Sequence, residues 1–330
     1  MKKLLIASLT LTSIGIATRL PAQLDRSCRM EIVKLCGVTR DRDLIRSCLR
    51  DKYQSLSRPC LQSLREMRSE RETGASGGTP YQYGRAEKQA VDYYPAPSGG
   101  RPALIVFIHG GGWAIGDKAS GTKNKASHYN SLGYAFASLN YRLVPETDPA
   151  GQAADIAAAL AYLRAKAESL GFNPDRIILS GHSAGAHLAA LVSTDPRYLD
   201  AAGVPMASIR GTVLLDGAGY DVPRQMANAG PMLGKMYRDA FTTDRATQSR
   251  LSPLTYAGAP NVADWLILFD NGRADSRAQS ETLGAALKHA GNSARPVPIN
   301  DTSHLKLNRD LGIEGDAATA LVDAFIKRVL

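Results

Sequence analysis

Apolar residues along this chain fall into two kinds of run, and the two kinds alternate. Continuous apolar runs rich in branched side chains occupy Ala103–Ile108, Tyr134–Leu139, Gly211–Leu215 and Asp264–Phe269, with shorter ones at Ile177–Leu179 and Val297–Ile299. A strand covered on both faces needs such a run. Ala90-Val-Asp-Tyr-Tyr94 instead alternates, as a strand with one covered face does. Between them, Ala153–Leu170, Ala186–Val192, Ser280–Gly291 and residues 317–330 carry helical patterns. Strand followed by helix, repeated along the chain, predicts an α/β domain on a mostly parallel sheet. Residues 223–251 interrupt the alternation with Met226, Met232, Met236, Tyr237 and Phe241.

The start of the chain follows a different pattern. Met1-Lys2-Lys3 is a basic leader, and Leu4 to Ala17 is an apolar run too short to span a bilayer comfortably. Residues 1–22 are therefore expected to be an export signal cut after Ala22, with Ala17 as the alternative, placing the mature protein outside the cytoplasm, secreted or periplasmic. No later stretch is long and apolar enough to cross a membrane.

All four cysteines, Cys28, Cys36, Cys48 and Cys60, lie in residues 24–72. An even number in an exported segment reads as two disulfides. Three short helices are expected there, over Met30–Leu35, from Leu44, and from Cys60 to Arg71, the last opened by Ser57-Arg58-Pro59. If the first two run antiparallel, Cys36 meets Cys48 and Cys28 meets Cys60, one of three pairings that four cysteines permit. The paired short Cys-x-x-Cys spacings of a zinc site are missing, so no metal is expected. Residues 73–80, Thr-Gly-Ala-Ser-Gly-Gly-Thr-Pro, read as a linker to a large domain over 81–330.

The net charge of +9 raises the question of nucleic acid, and its distribution answers it. Residues 24–72 hold 12 Lys/Arg against 8 Asp/Glu, while residues 73–330 hold 25 against 23. The large domain is nearly neutral and carries no basic stripe with interleaved aromatics, so no nucleic-acid partner is expected.

Two motifs carry the chemistry. Gly181-His182-Ser183-Ala184-Gly185 follows the Ile177–Leu179 strand at once and leads into a small-residue helix. That context places Ser183 at the tip of a tight turn with its hydroxyl exposed, as a nucleophile requires. The flanking glycines remove Cβ atoms that would collide with the adjoining elements. Three successive glycines in His109-Gly110-Gly111-Gly112-Trp113, also after a strand, let backbone N–H groups turn towards one point, which an acyl-transfer oxyanion needs.

With Gly116-Asp117-Lys118, Asn140-Tyr-Arg-Leu-Val-Pro-Glu146 and Asp155 before a helix, these motifs resemble the α/β-hydrolase carboxylesterases of the hormone-sensitive-lipase and bacterial feruloyl-esterase-like type, from about residue 85 onward. The resemblance implies an eight-stranded, mostly parallel sheet with helices on both faces. It also implies oxyanion donors at the amides of Gly111, Gly112 and Ala184, structural roles for His109 and His182, and a small cap from residues 223–251. The cysteine spacings resemble the repeat of Golgi-type cysteine-rich proteins, which implies a disulfide-bonded helical module and no chemistry.

The chain order Ser, acid, His directs attention past the Asp264–Phe269 strand. Asp275, just before a helix of the kind family members place after the acid, is the expected acid; Asp270, at the strand end, is the alternative. Of the histidines, His289 and His304 follow both; His289 lies inside a helix, so His304 is the expected base. The reading is a serine esterase on a small-molecule ester, with no cofactor. The same triad serves a formamide hydrolase, since Gly181–Leu188 also resembles kynurenine-formamidase relatives, or a depolymerase using residues 24–72 as an accessory module. A fold that only binds would leave the filled motif positions without a purpose.

Overall fold

The computed structural model describes residues 26–37, 48–49, 52, 55–61, 78–97, 99–122 and 124–330. The expected export signal lies outside these residues, as do most of the second and third short helices and most of the linker. The chain separates into two compact units, one through Glu72 and one from Thr73.

In the first unit, helix α1 spans Arg26–Cys36. Disulfides join Cys28 to Cys60 and Cys36 to Cys48, the nested arrangement of the antiparallel reading. Cys28, Ile32, Leu56 and Cys60 are buried together. Ser57 opens a turn of helix, its Oγ accepting from the Cys60 amide at 3.3 Å. Glu31 of α1 accepts from Ser57 N at 2.6 Å and Ser57 Oγ at 2.7 Å, so one carboxylate ties α1 to that turn.

The second unit is built on an eight-stranded sheet in the order β1-β2-β4-β3-β5-β6-β7-β8. The strands are β1 (Thr79–Gln82), β2 (Ala90–Tyr94), β3 (Leu104–Ile108), β4 (Ala135–Leu139), β5 (Ile177–His182), β6 (Ile209–Leu215), β7 (Asp264–Asp270) and β8 (Ser293–Ile299). β1 and β2 pair antiparallel, β2 pairs antiparallel with β4, and the rest is parallel. β1 has no apolar pattern to announce it: mostly exposed, it begins inside the expected linker, at Thr79.

Side chains alternate between two cores. Leu104, Val106 and Ile108 of β3 face one, under α3 (Pro149–Ala165) and α4 (Ala184–Thr194). Ile105 and Phe107 face the other, under α2 (Lys125–Ser131) and α9 (Ala317–Val329). Burial on both faces is why the central strands read as unbroken apolar runs. After β6 come α5 (Val222–Asn228) and α6 (Pro231–Phe241), after β7 comes α7 (Ala274–His289), and after β8 comes α8 (His304–Arg309). α7 begins six residues before the expected Ser280, which bears directly on the acid.

Candidate active site

The site lies at the carboxyl ends of β3, β5, β6 and β7, where open parallel sheets bind ligands. Ser183 follows β5 with φ 57° and ψ −121°, outside the regions an L-residue occupies without strain. Its amide donates to Leu215 O at 3.0 Å, which ties the turn to the end of β6. Close approach explains the flanking glycines. A Cβ on Gly181 would lie 2.2 Å from Gly185 O, and one on Gly185 would lie 2.2 Å from Ile108 O. Ala184 opens α4, where first-turn amides have no intrahelical acceptor and the helix dipole favours negative charge.

The glycine loop comes up against the same turn. A Cβ on Gly110 would meet His182 O at 2.8 Å and Ser183 Cβ at 3.0 Å. Gly111 and Gly112 both have positive φ, 126° and 57°. The loop is held from behind by Trp113 O, which accepts from Val144 N at 3.0 Å and from Gln152 Nε2 at 2.7 Å. Tyr141 Oη donates to His109 O at 2.9 Å and stacks on the His109 ring. The Asn140–Glu146 segment therefore buttresses the loop. From the other side, Tyr237 and Phe241 of α6 pack on Trp113, and Met236 packs on Gly112.

His304 is the first residue of α8. His182 Nε2 donates to His304 O at 2.8 Å, and the two rings lie 4.6 Å apart between centroids. Burial, followed by the charge His304 can carry, pushes His182 down to about 3, so it stays neutral and holds the neighbouring backbone. The far end of α8 is clasped by α2 and the residue before it: Asn124 Nδ2 donates to Arg309 O at 2.9 Å and Lys125 Nζ to Asn308 O at 2.6 Å. These are carbonyls a helix leaves unpaired.

His304 Nδ1 lies 2.6 Å from Asp216 Oδ2. Asp216 stands at the end of β6, its side chain wholly buried, and Oδ1 accepts from the Asp270 amide at 3.1 Å. Burial alone would raise its pKa; the hydrogen bond from His304 and the charge of Arg273 outweigh that and hold the carboxyl well below the usual range.

The expected acid is thus displaced. Asp275 lies in the first turn of α7, because that helix starts at Ala274, and its carboxylate accepts from Arg273 Nη2 at 2.8 Å rather than facing His304. Asp270 also turns away, accepting from the Gly272 amide at 2.9 Å. Gly110 of the glycine loop closes on Ser183, and His304 lies beside His182, the residue before Ser183; Asp275 and Asp270 take other partners, and Asp216 is the carboxylate that contacts His304. A signal for Asp216 was present: a charged residue ending the buried run Val213-Leu214-Leu215, between the serine and the histidine in chain order.

Eight strands in this order, a strained serine after β5 and a histidine after β8 decide the architecture. The chain has the α/β-hydrolase fold. Solved structures agree: native esterase 2 of Thermogutta terrifontis superposes with a TM-score of 0.63 at 22% identity, covering 78% of this chain and 94% of that one. Esterase B of Lactobacillus rhamnosus gives 0.62 at 21%, covering 81% and 94%. A family model described as BD-FAE matches residues 92–204. Among curated proteins, the probable carboxylic ester hydrolase LipM of Mycobacterium tuberculosis is 30% identical over 225 residues, 64% of this chain and 51% of LipM. Lipase 2 of a Moraxella species is 35% identical over 131 residues, 38% of this chain and 30% of the lipase. The chain spans about half the length of LipM, and of the M. tuberculosis esterase LipQ, which it also resembles.

Proposed function

We propose that this α/β hydrolase is a serine carboxylesterase acting on short-chain or small aryl esters. The observation that carries the reading is the Asp216–His304 contact beside a strained Ser183. His304 takes the Ser183 proton as Oγ attacks the ester carbonyl, while Asp216 fixes the Nδ1–H tautomer and supports the imidazolium. The amides of Gly111, Gly112 and Ala184 receive the oxyanion. His304 then protonates the leaving alcohol, and water, deprotonated by the same histidine, releases the acid. Similarity to ester hydrolases such as LipM supports the substrate class. Met236 of α6, close against Gly112, supports small substrates.

The basic and apolar leader, with two disulfides behind it, supports action outside the cytoplasm. The test is hydrolysis of p-nitrophenyl esters from C2 to C12 by the mature chain and by Ser183→Ala. Turnover of C2–C4 esters, lost in the variant, is expected; equal turnover by both proteins would overturn the assignment.

A further inference from the structure

Ester hydrolysis does not call for a cation beside the base, yet Arg273 supplies one. Its side chain is partly buried, with Nη1 2.6 Å from Asp216 Oδ2 and 2.7 Å from His304 Nδ1. Its other terminal nitrogen, Nη2, donates to Asp275 Oδ2 at 2.8 Å.

Guanidinium is donor-only. In the tautomer that serves Ser183, His304 Nδ1 is also a donor. Both therefore converge on Asp216 Oδ2, and a fixed positive charge stands at the imidazole edge where acyl transfer creates a second one. Were Arg273 to take Asp216 for itself, Nδ1 would lose its acceptor. Arg273 would then favour Nδ1 as an acceptor and put the histidine proton on Nε2, the atom that must accept from Ser183. What opposes this is the carboxylate at the opposite end of the guanidinium.

We infer that Asp275 is a positioning residue acting through Arg273. It holds Nη2, keeps the guanidinium shared between two carboxylates, and offsets its charge at His304. Asp275 thus contributes to the reaction without touching the reacting atoms, and loses its link to His304 when Arg273 is absent, keeping only Gln225 Nε2 at 3.5 Å. This rests on the Ser183–His304–Asp216 reading above.

The experiment is a double-mutant cycle on p-nitrophenyl acetate with the full chain: Asp275→Asn, Arg273→Gln and the pair, with Asp275→Glu as the conservative variant. Asp275→Asn is expected to lower kcat about 10-fold with KM unchanged. Asp275→Glu restores most of that loss. In the Arg273→Gln background, Asp275→Asn changes kcat by less than about 2-fold, because neighbours that act as a unit are not additive. Equal losses in both backgrounds, or no loss in either, would overturn the inference. So would a loss as large as that of Asp216→Asn, which would make Asp275 the acid itself. Asp275 is more than a third exposed, and the two backgrounds control for any folding effect of the substitution. Ser183→Ala separates the two failures: turnover surviving in that variant refutes the triad, whereas its loss beside an additive cycle refutes the role of Asp275 alone.

Discussion

Nδ1 of His304 and Oδ2 of Asp216 lie 2.6 Å apart across 88 residues of chain, which places the histidine's acceptor at the end of β6 and not past β7. Asp216→Asn keeps the shape but offers an amide that can stabilise the wrong tautomer, so kcat should fall about 10³- to 10⁴-fold with KM little changed. Steady-state kinetics beside Asp270→Asn, expected within about 3-fold of the parent, checks this. A larger loss in Asp270→Asn than in Asp216→Asn would return the acid to β7.

Close backbone approach at the elbow predicts an asymmetry among glycine substitutions. Gly185→Ala puts a methyl 2.2 Å from Ile108 O and 2.5 Å from His109 O, and should cost more than about 2 kcal/mol of stability. Gly171→Ala, at φ +74° with nothing within 4 Å, incurs only backbone strain of about 1 kcal/mol. Urea unfolding of the two variants separates these cases, and equal losses would contradict the packing argument.

His187 gives stability a pH dependence of definite sign. Trp113 Nε1, a donor only, lies 3.2 Å from His187 Nδ1, so Nδ1 accepts and Nε2–H donates to Leu251 O at 2.8 Å. Burial pushes this histidine from 6.5 down to about 4. As pH falls below about 6.5 the unfolded chain takes up the proton first, so stability is full above that value and declines towards pH 4. His182 acts in the same direction. The slope should approach about 1.4 kcal/mol per pH unit for each of the two. Asp216 adds its own loss only below the ordinary carboxylate range. Thermal midpoints between pH 8 and pH 5 check the sign; a flat profile would refute it.

The first unit depends on its cross-links. Replacing Cys36 and Cys48 by serine opens a loop with a sequence separation of 12, worth about 3 kcal/mol in chain entropy, and opening Cys28–Cys60, with a separation of 32, costs about 1 kcal/mol more. Limited proteolysis should therefore cut within residues 26–61 of either double variant sooner than in the parent.

The fold was legible because the central strands are buried on both sides and announce themselves as apolar runs such as Leu104–Ile108. The edge strand β1 was not, since an exposed Thr-Pro-Tyr-Gln has no such pattern. The tight turn at Ser183 and the glycine loop were legible because such close backbone approach requires the glycines that the sequence displays. The carboxylate partner of His304 was harder. Such a carboxylate needs only to reach the histidine in space, and Asp216, which ends a buried run, shares that local signal with Asp270 at the end of β7. What decides between Asp216 and Asp275 is where α7 begins and where Arg273 sits. That boundary rests on Ala274 entering the helix with no side chain capping it, a weak local signal.

At the elbow, Gly110, Gly181 and Gly185 let three stretches of main chain touch with no side chain between them. The spacing between Ser183 and the glycine loop is therefore set by peptide groups, which substitutions outside these three glycines leave in place.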